Sequence, residues 1–211
     1  MLNIAVLVSG GGTNLQALID ARRDGMIKNG RIALVVSSNS GAYALKRAGK
    51  AGISAEVLPR RSFAAQEEYD AALLGLLNRY EIGLVVLAGF MTIISETVVS
   101  RFRNRIINVH PSLIPSFCGE GYYGLKVHEE ALKKGVKVTG ATVHFVNEIC
   151  DGGPIILQKA VEVRPDDTPR ILQKRVMEQA EWKLLPRAVA LFCEDRLEVE
   201  NGRVKIKEGT S

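Results

Sequence analysis

An aliphatic run, "RIINVH" (105–110), ends by presenting Asn108 and His110, and the chain then dissolves into "PSLIPSFCGEGYYG". Two residues apart on an extended strand, their side chains point to one face. An amide that donates hydrogen bonds, set beside an imidazole, suits the stabilisation of a developing oxyanion and the shuttling of a proton. Asp151, in "CDGGP", lies in another turn that could converge on the same point. A carboxylate there raises the pKa of a histidine and orients its ring. Asp151 has a plainer reading as a turn residue ahead of Gly152, and spacing alone leaves both open.

The chain has three histidines, His110, His128 and His144, all within positions 110–144. Their spacings are long, with no HxH or HExxH pair, so no metal is expected. His144 sits mid-strand and His128 beyond the loop, where a satisfied core histidine is the ordinary finding. There is no GxSxG elbow, and nothing flanking Cys118 marks an activated thiolate. A direct transfer between two bound substrates needs no such nucleophile.

A second candidate site is "SGGGTN" (Ser9 to Asn14), which joins an apolar run to a helical pattern. Glycines let backbone approach a ligand, and the unpaired N–H groups of a helix start favour an anion. A dinucleotide fingerprint fails, because GxGxxG from Gly10 requires glycine where Leu15 stands. The second apolar run also ends in "VVSSNSG" without an acidic residue for a ribose diol. No GK[ST] follows, so this is not a P-loop. A single phosphate held by Gly11, Gly12, Thr13 and Asn14 is the functional reading. The competing one is a tight turn with Thr13 or Asn14 as N-cap.

The elements that must position these groups follow from periodicity. "LNIAVLVS" (2–9), "RIALVVSS" (31–38), "AEVLP" (55–59), "IGLVVLAGF" (82–90) and "RIINVH" read as strands, nearly all continuous in apolar residues, as in a parallel sheet buried on both faces. Helical patterns alternate with them, including a long amphipathic one through "SFAAQEEYDAALLGLLNRY" with Ser62 as N-cap. The expected fold is α/β and doubly wound, a mostly parallel sheet with flanking helices. A short helix is expected near "VHEEALKKG", then strands "VTGATVHFV" and "GPIILQKAVEV". The last helical stretch, from "DTPRILQ" on, should kink at Pro186 before a small terminal strand or hairpin. One domain spanning 1–211 is expected, with lobes of about 1–100 and 101–211.

Composition limits the partners. Hydrophobic residues make up 46% and charged residues 24%, ordinary for a globular enzyme. A net charge of +5 with scattered Lys and Arg fits an anionic small molecule at least as well as nucleic acid. Neither a signal peptide nor a membrane span is evident, and the expected setting is the cytoplasm. Cys118, Cys150 and Cys193 are odd in number and form no CxxC pair, which suggests neither a disulfide framework nor a zinc knuckle.

Five motifs in order, "SGGGTNLQALI", "VVLAGFMTII", "INVHPSLIPSF", "GATVHFV" and "DGGPIILQ", resemble the folate-dependent phosphoribosylglycinamide formyltransferase family, with a weaker match at "AEWKLLP". The resemblance covers nearly the whole chain and implies that family's Rossmann-like fold. It implies transfer of the formyl group of 10-formyltetrahydrofolate, the donor co-substrate, to the amine of glycinamide ribonucleotide, with no metal. By motif position, Asn108, a protonated His110 and Asp151 are catalytic. Gly12, Thr13 and Asn14 hold the substrate phosphate, and Glu181 its ribose and glycinamide end. Phe90, Ile93 and Ile94, with the backbone of the 147–152 turn, line the folate pocket, to which Thr92 and Asn108 also belong. His144 and Thr142 then organise water or neighbouring groups around the trio. Thr92 stands where many members have Arg, and Trp182 where some have His. The loop "SFCGEGYYGLKVH" is longer than the short family form and reads as a flap. Rivals are formyltetrahydrofolate deformylase, methionyl-tRNA formyltransferase and a non-catalytic nucleotide-binding module. The expected partners are small molecules, with neither nucleic acid nor membrane, in a monomer or homodimer.

Overall fold

The first aliphatic run forms strand β1 (Leu2–Val8), whose residues from Ile4 onward are buried on both faces. Ile4, Val6 and Val8 pack into one apolar cluster, while Ala5 and Leu7 pack into a second on the opposite side of the sheet. That division explains why the run shows no alternation. Both faces are covered, so both parities must be apolar. The structure is a computed structural model and describes residues 1–208.

In chain order β1 is followed by α1 (Thr13–Arg23), β2 (Gly30–Ser37), α2 (Tyr43–Lys50), β3 (Ser54–Val57), α3 (Gln66–Arg79) and β4 (Ile82–Leu87). Then come α4 (Glu96–Arg101), β5 (Ile106–His110), α5 (Leu125–Lys134), β6 (Val138–Phe145) and β7 (Ile155–Glu162). The chain closes with α6 (Pro169–Val176), α7 (Trp182–Cys193) and the hairpin β8 (Leu197–Glu200) and β9 (Arg203–Ile206). One seven-stranded sheet has the order β3-β2-β1-β4-β5-β6-β7. Its first five strands are parallel, and β6 and β7 add in antiparallel sense. The fold is therefore the doubly wound, mostly parallel α/β architecture. The order reverses between β1 and β4, so the ligand crevice of such sheets lies at their carboxyl ends. Residue 100 lies within α4, and β4 and β5 on either side of it pair directly.

Two local expectations change, and one helix is new. Ser62 does not cap α3. It ends a short 3-10 turn over Arg60–Ser62, and the helix begins at Gln66 after an extended Ala65. Pro186 does not break the last helical stretch. The break precedes it, where Met177–Glu181 widen into one π turn between α6 and α7. Helix α4, unread in the sequence, is capped by Ser95, whose hydroxyl accepts from the Val98 N–H and donates to Asp70 Oδ2 at 2.6 Å. No helix among the described residues is long and apolar enough to cross a membrane.

Candidate active site

Along β5 one face changes character. Ile106 is core, but two and four residues on, the same face carries Asn108 and His110. Antiparallel pairing sets His144 opposite Asn108 and Thr142 opposite His110, so four polar side chains share that face. Asp151 joins them from the turn between β6 and β7. That turn closes on itself through Gly152 N–H to the Ile149 carbonyl and Ile149 N–H to Asn147 Oδ1. Asp151 is held at a φ of 54°, left-handed backbone that Asp tolerates better than most residues.

The result is a tight cluster. His110 Nδ1 lies 3.4 Å from Asp151 Oδ2, and Asn108 Nδ2 donates to Asp151 Oδ1 at 3.4 Å and to His144 Nε2 at 3.2 Å. His144 Nδ1 lies 2.8 Å from the Phe145 carbonyl oxygen, and its Nε2 lies 3.6 Å from Asp151 Oδ1. The loop after β5 reaches both ends of the pair: the Phe117 carbonyl accepts from His110 Nε2 at 2.8 Å, and the Gly119 N–H donates to Asp151 Oδ2 at 2.9 Å.

Electrostatics separates the two titrating groups. Burial pulls the His110 pKa down from its ordinary value, and the opposing pull of Asp151 and the Phe117 carbonyl does not fully restore it. Burial thus favours the neutral ring in the free chain. Burial alone would raise the Asp151 carboxyl, but His144, His110 and the Gly119 N–H together hold it below the usual range. Burial and the Asp151 charge push the Cys118 thiol up, the reverse of what a nucleophile needs. Thr142 turns away from the trio, to the chain after His110. His128 is fully buried on α5, and neither ring nitrogen has a partner among the described residues.

The glycine turn lies at the carboxyl end of β1, two strands from β5. Gly12, at a φ of 71°, is the N-cap of α1, so Thr13 and Asn14 are its first helical residues rather than its cap. A Cβ on Gly12 would lie 2.6 Å from Ala44 Cβ, so only glycine admits α2 this close. The Ala44 N–H takes the Gly10 carbonyl at 3.1 Å and Arg47 Nε the Gly11 carbonyl at 2.9 Å. With those carbonyls engaged, the unpaired N–H groups of the helix start and the Arg47 charge make the turn suited to an anion. Sequence reasoning passes over Arg47, because a basic residue on a surface helix carries no signal by itself. The π turn brings Glu181 to Asn14, whose Nδ2 donates to Glu181 Oε2 at 2.7 Å. Burial raises the Glu181 carboxyl, with Asn14 opposing, and Asn14 Oδ1 is buried without a partner among the described residues. A groove of about 410 Å³ opens alongside, lined by Thr13, Gln16, Arg47 and Trp182.

The segment after β4 is tied back to the glycine turn. The Met91 N–H donates to Ser9 Oγ at 2.8 Å, and Ser9 Oγ lies 2.6 Å from Ser38 Oγ. Phe90 and Ile94 pack partly on the core and Thr92 is half-buried, whereas Ile93 is 78% exposed. Met91 and Ile149 are exposed as well. Among the described residues no group of three or more His, Cys, Asp or Glu is arranged to hold a metal ion.

Fold and site together define a class: a doubly wound α/β protein with a glycine turn after its first strand and an Asn–His–Asp cluster where β5 ends. The family model described as "Formyl transferase" matches residues 2–189, and the chain belongs to that family. It is 41% identical over 198 residues to the phosphoribosylglycinamide formyltransferase of Escherichia coli strain K12, covering 94% of this chain and 90% of that protein. It is 44% identical over 190 residues to the trifunctional purine biosynthetic protein adenosine-3 of Drosophila melanogaster, covering 90% of this chain but 14% of that longer protein. Among solved structures, glycinamide ribonucleotide transformylase 1 from Symbiobacterium toebii superposes with a TM-score of 0.92 at 44% identity, covering 99% of this chain and 95% of that one.

Proposed function

We propose that this chain transfers the formyl group of 10-formyltetrahydrofolate to the amine of glycinamide ribonucleotide. The observation that carries the proposal is the convergence of Asn108, His110 and Asp151 where no activated nucleophile stands. The amine attacks the formyl carbon directly, and negative charge develops on the formyl oxygen. Asn108 meets that oxygen with amide hydrogens that the free chain holds on His144 and Asp151 at long distances of 3.2 and 3.4 Å. The proton lost by the amine is held on the His110–Asp151 pair, where the carboxylate stabilises the imidazolium that forms. It then passes to the folate nitrogen as the carbon–nitrogen bond breaks.

On this reading Gly11, Gly12, Thr13, Asn14 and Arg47 hold the phosphate, and Glu181 the ribose and glycinamide end. Phe90, Thr92, Ile93 and Ile94 with the 147–152 turn take the folate. The partners are then small molecules and the setting the cytoplasm. Incubating the protein with glycinamide ribonucleotide and a 10-formyl folate should release deformylated folate only when the acceptor is present. Equal release without acceptor would make it a hydrolase, and no turnover with both substrates bound would make it a binding protein.

A further inference from the structure

The polar row on β5 does not stop at β6. Gln158 on β7 is registered opposite Thr142, which is itself opposite His110, so the row runs His110–Thr142–Gln158 across three strands. Thr142 is fully buried and every hydrogen-bonding position of its hydroxyl is used. Its Oγ1 donates to the Ser112 carbonyl at 2.7 Å and accepts from the Ile114 N–H and from Gln158 Nε2, each at 3.0 Å. Gln158 Nε2 also donates to the Ile114 carbonyl at 3.0 Å. Ser112 Oγ donates to the Ser116 carbonyl at 2.6 Å and closes the segment on itself. Gly140, two residues before Thr142 on the same face, leaves room for the segment, since a Cβ there would lie 2.8 Å from Leu113 Cδ2.

We propose that Gln158 and Thr142 are positioning residues for His110, clamping Pro111–Ser116 to the sheet so that the Phe117 carbonyl meets His110 Nε2. Phe117 is held at a φ of 50°, a left-handed conformation that bulky residues avoid, and its carbonyl lands 2.8 Å from the ring. The consequence is chemical. His110 then faces an acceptor on each nitrogen, the Phe117 carbonyl at Nε2 and the Asp151 carboxylate at Nδ1. Either neutral tautomer satisfies one acceptor and turns a lone pair on the other. Only the imidazolium satisfies both. The clamp therefore favours the charged ring against the burial that opposes it, and it poises His110 to take up a proton when negative charge appears beside it. The other titratable groups around the ring are Asp151 on the 147–152 turn, His144 on β6 and His128 on α5.

The inference rests on the formyl-transfer reading for its purpose, but its test needs no substrate. With three histidines in the chain, ring resonances of His110 can be followed by NMR in the ligand-free protein. Gln158→Met keeps the length of the side chain without its donors, and at an exposed edge-strand position it leaves the core intact. The His110 midpoint should fall by roughly half a pH unit or more, and the neutral ring should move from the Nε2–H to the Nδ1–H tautomer. Thr142→Val should do the same more strongly, while Thr142→Ser, which keeps the hydroxyl, should titrate like the parent. An unchanged midpoint and tautomer in folded Gln158→Met would overturn the proposal, whatever its turnover. A parent protein that moves no formyl group would overturn the function and leave this result standing.

Discussion

Asp151 is where the hydrogen bonds of the site meet: Asn108 on one oxygen, the Gly119 N–H on the other, and both histidine rings within 3.6 Å. Asp151→Asn keeps the shape and removes the charge that supports a protonated His110. Substrate binding should persist while kcat falls by roughly two to four orders of magnitude, and near-parent turnover would remove Asp151 from the chemistry. Glu181 poses the opposite problem. Burial raises its carboxyl and Asn14 supplies one donor, so the charged form is poorly served in the ligand-free fold. A folded-state pKa above the unfolded one means this group stabilises the fold at acid pH and loses that contribution as pH rises. Glu181→Gln keeps the acceptor for Asn14 Nδ2 and brings an amide donor to the unpartnered Asn14 Oδ1. The variant should melt about 2–4 °C higher at neutral pH and show a raised KM for glycinamide ribonucleotide. A lower melting point with unchanged KM would contradict both halves.

At the scale of elements, Asp151 depends on how closely its turn lies against β6. A Cβ on Gly153 would fall 1.8 Å from the Phe145 carbonyl oxygen, next to the bond between the Phe145 N–H and the Pro154 carbonyl. Gly153→Ala must push the turn off the sheet, costing about 1–3 kcal/mol and carrying Asp151 away from His110. Denaturant unfolding and kcat should both register it, and a variant altered in neither would mean the turn adapts freely. The elements show what a sequence discloses. Strands β1, β4 and β5 were readable because burial on both faces demands unbroken apolar runs, and Asn108 and His110 share a face by the two-residue period. Helix α4 was not readable, since six residues show no period and its cap rests on Asp70, 25 positions earlier. The start of α3 moved because Arg60 bonds Gln66 and the Phe63 carbonyl, holding a separate 3-10 turn ahead of the helix. The pairing of Asn14 with Glu181 spans 167 positions and leaves no local trace; the glycine turn pointed to Asn14, and family resemblance alone to Glu181. Asp151 lay between these cases, a turn residue whose convergence on β5 only the folded chain shows.

The whole molecule carries its site at a cost that depends on pH, and His128 is its clearest source. The ring is fully buried with both nitrogens unpartnered among the described residues, and burial, with some repulsion from His110, pushes its pKa down to about 4. Against an ordinary value of 6.5, the unfolded chain binds the extra proton throughout the interval between. The stability that neutral His128 contributes is whole above about pH 6.5, shrinks as pH falls, and is gone below about pH 4, a total of about 3 kcal/mol. Asp151 acts in the same sense at lower pH, because its depressed carboxyl stabilises the fold only while ionised. Glu181 acts against both, so the acid limb reflects a difference between groups. Urea unfolding at pH 7.5 and 4.5 isolates the histidine when the parent is compared with His128→Leu, which fills a similar volume without buried nitrogens. The parent should lose about 2 kcal/mol more than the variant across that interval, and the variant should be the more stable of the two at pH 4.5. Parallel losses in the two proteins would mean that the α5 ring stays uncharged in the unfolded chain or finds water in the folded one, and that acid instability arises elsewhere.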